Sequence, residues 1–190
     1  MPTKVNPFDE CPVYETAHFV FSLVCEDDAE DLFICYSDPV TLAHMNNDNC
    51  GDKWRPQSPD ALKFAWQKDY ELRRFLRWSV KRKDSGKTVG TIEIAPLPWG
   101  RWFFGDEKPI GILRIDLLSV YETAALLSEI ITLMATEIME DFEVNQVVMK
   151  APTDQPEKVC ALLENEFVPT KIDILPFEDY YLKVNVEGKE

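Results

Sequence analysis

Four charged residues stand out because they interrupt apolar segments that alternate like β-strands: Arg77, Glu93, Arg114 and Asp116. Successive side chains of a strand point to opposite faces, so these four charges are predicted to share one face of three adjacent strands. A carboxylate there can accept a proton from a substrate amine while arginines orient the substrate. We therefore take Glu93 and Asp116 as candidate catalytic residues. The alternative is that the four charges form two ion pairs on a partly hydrated sheet face.

A second candidate site is the turn after the strand predicted at Ile112–Leu118. This turn, Ser119–Thr123, contains no glycine and opens a long amphipathic helical pattern. Ser119 and Glu122 have the spacing of a capping box, in which the glutamate folds back over the free N–H groups of the first helical turn. Those N–H groups are otherwise an anion site. The box is therefore either a good helix start or a sign that this anion site is blocked.

The elements that position these residues indicate one α/β domain over residues 1–190. An opening strand precedes three helical patterns, a three-strand meander, a long helix, a strand, a short helix and a late strand. The hairpin inside the meander turns at KDSGK. The predicted strands are His18–Val24, Leu76–Arg82, Thr88–Ile94, Ile112–Leu118, Val144–Lys150 and Asp179–Val186. The predicted helices are one with the face Ala29, Leu32, Phe33 and Tyr36, then Pro39–Met45, Ser58–Arg74 and Tyr121–Glu140, and a last one ending at Phe167.

This order resembles the GNAT N-acetyltransferase superfamily. The segments FVFSLVCEDDAEDLFICYSDP and RWSVKRKDSGKTVGTIEI resemble the branch that includes the ribosomal-protein-alanine acetyltransferases. The resemblance implies the GNAT fold, a mixed, mostly antiparallel central sheet with helices on both faces. It also implies acetyl-CoA as co-substrate, in a cleft where the strand ending at Leu118 separates from Val144–Lys150. The residues expected at the cofactor are Leu117, Leu118, Ser119, Tyr121, Glu122 and Thr123.

The chain departs from the family pattern at two positions. The family has a glycine-rich turn for the cofactor pyrophosphate where this chain has Ser119–Thr123, and it commonly has a tyrosine as general acid where this chain has Leu162. Two functions therefore stay open. One is an acetyl-CoA-dependent N-acetyltransferase for an amine of a small molecule or a protein N-terminus. The other is a non-catalytic GNAT-fold module that has lost acetyl-CoA and binds a ligand or a protein.

The amino-acid composition limits the classes of partner that we expect for this chain. A net charge of −14 argues against nucleic acid and anionic membranes, and it either suits a cationic amine substrate or simply keeps the protein soluble. The five cysteines have no C-x-x-C spacing, which favours free thiols in a reducing compartment. His44 and Cys50 have no further ligands near them in sequence, so no metal site is expected. We expect a cytoplasmic protein without a membrane span, and a homodimer stays open.

Overall fold

The computed structural model describes residues 5–47, 56–64, 66–97, 109–171 and 178–184. Within these ranges the chain forms an eight-stranded sheet in the order β1-β2-β3-β4-β5-β6-β8-β7. Strands β5 and β6 are parallel, and the other neighbouring pairs are antiparallel. The strands are β1 Tyr14–Glu15, β2 Phe19–Leu23, β3 Leu76–Arg82, β4 Thr88–Leu97, β5 Ile110–Leu117, β6 Gln146–Lys150, β7 Val168–Thr170 and β8 Tyr180–Val184.

Six α-helices connect the strands in the described part of the chain. They are α1 Ala29–Cys35, α2 Pro39–Asn47, α3 Gln67–Glu71, α4 Ala124–Leu133, α5 Met139–Asp141 and α6 Pro156–Glu164. A π-helical turn, Met134–Ile138, joins α4 to α5, and short 3₁₀ turns lie at Glu26–Asp28, Pro59–Ala61 and Ser119–Tyr121. No helix among the described residues has the length and apolar character needed to cross a membrane.

Helix α4 covers the apolar face of the central strands. Its buried residues recur at helical spacing, Leu127, Ile130 and Ile131, and belong to the same core as the alternating Leu113 and Ile115 of β5. Complete burial of one such side chain contributes about 1.5–3 kcal/mol. The apolar face of β5 and the apolar face of α4 therefore pack together in one hydrophobic layer. This layer fixes the position of α4 relative to β5.

Helices α1 and α2 cover the opposite, polar face of the sheet. Asp28, at the start of α1, is buried and accepts hydrogen bonds from Ser79 Oγ at 2.6 Å, Thr88 Oγ1 at 2.8 Å and the Cys25 N–H at 3.0 Å. Burial by itself raises the pKa of Asp28, but these hydrogen bonds outweigh it and hold the pKa below its ordinary value. The carboxylate thus fastens α1 to β3 and β4, and the helices lie on both faces as expected.

The sequence predicted most elements but not all of their bounds. The strands of the meander and helix α2 are confirmed. The single helix expected over Ser58–Arg74 is wrong, because the chain there forms a 3₁₀ turn and the short helix α3, with Trp66 in the left-handed region at φ 68° between them. Strands β1 and β7 were missed because they are two and three residues long. The end of the strand predicted over Asp179–Val186 lies outside the described residues.

Gly90 allows β4 to pass very close to β5. A Cβ at this position would lie 2.1 Å from the Asp116 carbonyl oxygen and 2.9 Å from Leu117 Cα. We expect Gly90→Ala to lower the free energy of unfolding by about 3 kcal/mol, because backbone rather than a flexible side chain must move. Gly86→Ala is the control: its Cβ would meet nothing within 4 Å, so only the φ of +70° opposes it, at about 1 kcal/mol. Urea unfolding measures both, and an equal or smaller loss at Gly90 would contradict this explanation.

Candidate functional site

Strands β5 and β6 separate halfway along β5. Their residue pairs are Gly111–Val147, Ile112–Val148 and Leu113–Met149, whereas β5 continues to Leu117. The expected separation of these two strands is confirmed. We call the space beside β5 beyond Leu113 the strand opening. It exposes an edge of β5 to groups other than a neighbouring strand.

Helix α6 supplies the side chains at this opening. Lys158, only 5% exposed, donates from Nζ to the carbonyl oxygen of Ile115 at 3.5 Å. Gln155 immediately precedes α6 and is also 5% exposed. Its side-chain nitrogen has no hydrogen-bond partner among the described residues. A buried donor without a partner is rare in folded proteins and marks a position where a ligand or water can bind.

A small pocket continues from Lys158 toward the turn before α4. We call it the junction pocket; its volume is about 40 Å³. That volume holds a water molecule but not an extended cofactor arm. The side chains around it carry both charges and come from α2, α4, the turn before α4, and the start of α6. They are His44, Glu122, Leu127, Asp154, Gln155, Glu157 and Lys158.

The turn before α4 differs from the predicted capping box. Thr123 is the N-cap and accepts a hydrogen bond from the Leu126 N–H at 3.4 Å, so the helix begins at Ala124 rather than near Tyr121. Residues Ser119–Tyr121 form a 3₁₀ turn, and the Ser119 N–H donates to Thr41 Oγ1 at 2.9 Å. The predicted roles of Ser119 as N-cap and Glu122 as its capping partner are therefore wrong. Contacts with α2 therefore determine the conformation of this turn.

Glu122 pairs with His44 instead of the helix terminus. The distance between Glu122 Oε2 and His44 Nδ1 is 2.6 Å. Burial raises the pKa of Glu122, and the attraction of His44 and then Lys158 opposes that rise without cancelling it. The Glu122 carboxyl group therefore lies partly buried beside the strand opening, paired with His44. Sequence reasoning considered His44 only with Cys50, which lies outside the described residues, and so missed this partner 78 residues away.

The other expected cofactor residues lie in several environments. Leu117 is buried in the apolar core, and the Leu118 N–H donates to the Val89 carbonyl at 2.8 Å. The Tyr121 ring centre lies 5.3 Å from the Arg82 guanidinium carbon. Of the six, Glu122 is the residue that lines the junction pocket. Gln155 and Lys158 were missed, although their place just after β6 gave a signal, since residues that follow neighbouring parallel strands meet at one sheet edge.

The four charged residues of the meander share one face, as predicted. Register pairs Arg77 with Glu93 and Glu93 with Arg114 across the strands. Arg77 donates from Nε to Glu93 Oε2 at 2.8 Å and from Nη1 to Asp116 Oδ2 at 3.5 Å, with the Trp66 ring 4.3 Å from its guanidinium carbon. Burial lowers the pKa of Arg77, but Glu93 foremost among its neighbours reverses this, and the pKa is raised.

The two candidate bases differ in their surroundings. Asp116 is 3% exposed and accepts from Arg114 Nε at 2.9 and 3.1 Å as well as from Arg77. Arg114 in turn donates to the Met45 carbonyl of α2 at 3.3 Å. The Glu93 side chain is 13% exposed. The ion-pair interpretation accounts for Asp116 fully, whereas Glu93 keeps some access to solvent.

The raised pKa of Glu122 predicts a pH-dependent effect of Glu122→Gln. Above its ordinary pKa of 4.5, the native state retains a proton that the unfolded state has lost, so Glu122 makes the wild type less stable as pH rises. The glutamine removes this cost. We expect the difference in unfolding free energy, variant minus wild type, to be more positive at about pH 7 than at about pH 4.5, as measured by urea unfolding. A difference that does not change with pH would contradict the burial argument.

Several solved structures with a similar fold are acetyltransferases. Ribosomal-protein-S5-alanine acetyltransferase from Vibrio fischeri has a TM-score of 0.66 at 16% identity, over 94% of this chain and 100% of that one. A GNAT-family acetyltransferase from Bacillus anthracis has a TM-score of 0.67 at 10% identity, over 93% and 100%. An aminoglycoside acetyltransferase in complex with coenzyme A has a TM-score of 0.65 at 12% identity, over 86% and 93%. No protein-family model and no curated protein matches the chain. The chain therefore has the fold of the GNAT acetyltransferases.

Proposed function

We propose that this chain is an acetyl-CoA-dependent N-acetyltransferase that acts on an amine. The observation that carries the proposal is the buried side-chain nitrogen of Gln155, which has no partner among the described residues and lies at the start of α6 beside the strand opening. An unsatisfied buried donor costs about 1–3 kcal/mol. A carbonyl oxygen of the cofactor's pantetheine arm offers the acceptor that Gln155 lacks.

The edge of β5 also fits an amide-bearing arm. Beyond Leu113 it is not paired with β6, and the Ile115 carbonyl accepts from a side chain rather than from a strand. An extended ligand with amide groups can pair with such an edge as an added strand would. When bound, acetyl-CoA supplies an activated thioester that an amine attacks directly. Gln155 and the β5 edge would hold and orient it.

The turn before α4 fits a pyrophosphate poorly. The Glu122 carboxylate lies there, paired with His44, and the Ser119 N–H is already bonded to Thr41. A carboxylate repels phosphate groups. The Ala124 and Ala125 N–H groups are at the first two positions of α4, where a helix has no internal partners for them. We assign no pyrophosphate contact to Glu122, and the arm rather than the phosphates would dominate binding.

For the chemical step, we assign proton acceptance from the amine to Glu93. It is the more exposed of the two candidate carboxylates, and Arg77 fixes its orientation through two donors. Asp116, enclosed by Arg77 and Arg114, would position the cluster. The net charge of −14 favours a cationic acceptor. Two similar structures are named for acceptors that carry amines, a ribosomal-protein alanine and an aminoglycoside.

The second candidate function is a non-catalytic module. One observation in its favour is the volume of the junction pocket, about 40 Å³, which is too small for the arm unless the protein moves. Another is the Glu122 carboxylate at the turn before α4. The two candidates differ in one measurable property, since only the first requires acetyl-CoA to bind. At a hundredfold excess over Kd, binding stabilises a protein by about 2.7 kcal/mol, which a melting experiment detects.

Gln155→Met separates binding from stability. Methionine has a similar shape without the unpaired donor. The free energy of unfolding of the variant should therefore exceed that of the wild type by about 1 kcal/mol. It should also bind coenzyme A about tenfold more weakly, because the arm loses a hydrogen-bond donor. Urea unfolding and calorimetric titration measure the two effects, with Gln146→Met on β6 as the control. Coenzyme A binding as tight as in the wild type would remove Gln155 from the proposed site.

Glu93→Gln and Asp116→Asn test the assigned roles. Glu93→Gln should lower acetyl transfer to a panel of amines by about a hundredfold to ten-thousandfold, because it deletes the proton acceptor, and it should also lose stability, because the buried Arg77 loses its foremost charge partner. Asp116→Asn should mainly lose stability, about 3 kcal/mol, because it leaves two arginines with one charge partner fewer. Rates are compared per folded molecule. Full activity of Glu93→Gln would show that Glu93 is not the base.

A further inference from the structure

Lys158 is placed where a lysine does not help helix α6 to form. It is the third residue of α6, so its positive charge lies at the helix end where the backbone dipole is also positive. The side chain is buried, although an ammonium group is strongly hydrated in water. These two costs indicate that the position of Lys158 serves the strand opening rather than the stability of α6.

The ammonium group of Lys158 closes the strand opening. It donates to the carbonyl of Ile115, the β5 group that an extended ligand entering beside this strand would need. Lys158 also lines the junction pocket, whose 40 Å³ leaves no room for such a ligand. A ligand that pairs with the Ile115 carbonyl therefore competes with the ammonium group for this position.

Glu122 offers the ammonium group an alternative partner. It lines the same pocket, and its carboxylate is close enough to Lys158 for their attraction to lower the glutamate pKa. His44 from α2 already holds this carboxylate, and Asp154 and Glu157 line the pocket from the α6 side. A movement of Lys158 from Ile115 to Glu122 exchanges a neutral acceptor for a charged one. Charge-assisted hydrogen bonds are the stronger kind, so the movement keeps the ammonium group satisfied.

We propose that Lys158 is a gate: its ammonium group closes the strand opening at Ile115 and moves to Glu122 when the acyl donor enters. This inference rests on the proposed function and deepens it, because it names how the donor site is regulated. The closed pocket is then the resting state of a binding site. Donor affinity is set partly by the contact that Lys158 must give up.

Lys158→Met tests the gate, because methionine is long and flexible but cannot donate to Ile115. Lys183→Met is the matched control: it makes the same change in net charge, and Lys183 donates to the Asn165 carbonyl at 2.8 Å, away from the junction pocket. Coenzyme A is titrated calorimetrically at about 1 M salt, where the Debye length of about 3 Å screens the lost attraction for its phosphates. We expect Lys158→Met to bind about tenfold more tightly than the wild type, or ~1.4 kcal/mol, and Lys183→Met to bind like the wild type.

The outcomes separate the gate from the proposed function. Weaker or equal binding by Lys158→Met, when the wild type binds, overturns the gate but not the acetyltransferase. Binding by the variant and not by the wild type supports the gate and overturns acetyl transfer by the native chain. Binding by neither overturns both, and equal tightening by Lys183→Met overturns the gate. Circular dichroism confirms folding, and Lys158→Ala replaces the methionine variant if that one does not fold.

Discussion

The separation of β5 from β6 after Leu113 is the constraint on which the site depends. Buried backbone groups must find hydrogen-bond partners, so a strand that leaves its neighbour inside the protein needs another donor. Here the donor to the Ile115 carbonyl is Lys158, delivered by α6. The placement of α6 is in turn fixed by its packing against α4, with Asn165 donating to Ser128 Oγ at 2.9 Å. One local change in strand pairing therefore determines which helix residues reach the interior.

The polar face of the sheet connects this opening to the candidate base. Tyr36, directly after α1, shares a hydrogen bond with Thr91 at 2.8 Å, and both receive hydrogen bonds from Arg77. Helix α2 contributes the Met45 carbonyl to Arg114 and His44 to Glu122. Helices α1 and α2 thus hold the charged cluster and the turn before α4 through hydrogen bonds rather than apolar contact alone. Such a network specifies one arrangement only when its members are satisfied together.

The features that were predicted correctly are those set by interactions between residues close in sequence. Alternation in LRWSVKR and ILRIDLL placed Arg77 and Asp116 on one face correctly, because the two-residue period of a strand depends on backbone geometry alone. The capping box predicted at Ser119 and Glu122 was wrong, because Ser119 bonds to Thr41 and Glu122 pairs with His44, each 78 residues away along the chain, and Thr123 caps α4 instead. The junction pocket could not be predicted for the same reason. Its residues come from three distant segments that meet only after the sheet and α6 are packed.

The polar lining of the opening favours a site that binds a ligand over a surface with a purely structural role. Replacing a buried charged group by a well-packed apolar one is often neutral or stabilising, so a module without a ligand has no need of charges in this place. This chain nevertheless has a buried lysine, a glutamine donor without a partner among the described residues, and a carboxylate whose pKa burial raises. All three are placed around one strand edge. A binding site accounts for the three together, whereas the hydrogen bond from Lys158 to the Ile115 carbonyl accounts for the lysine alone.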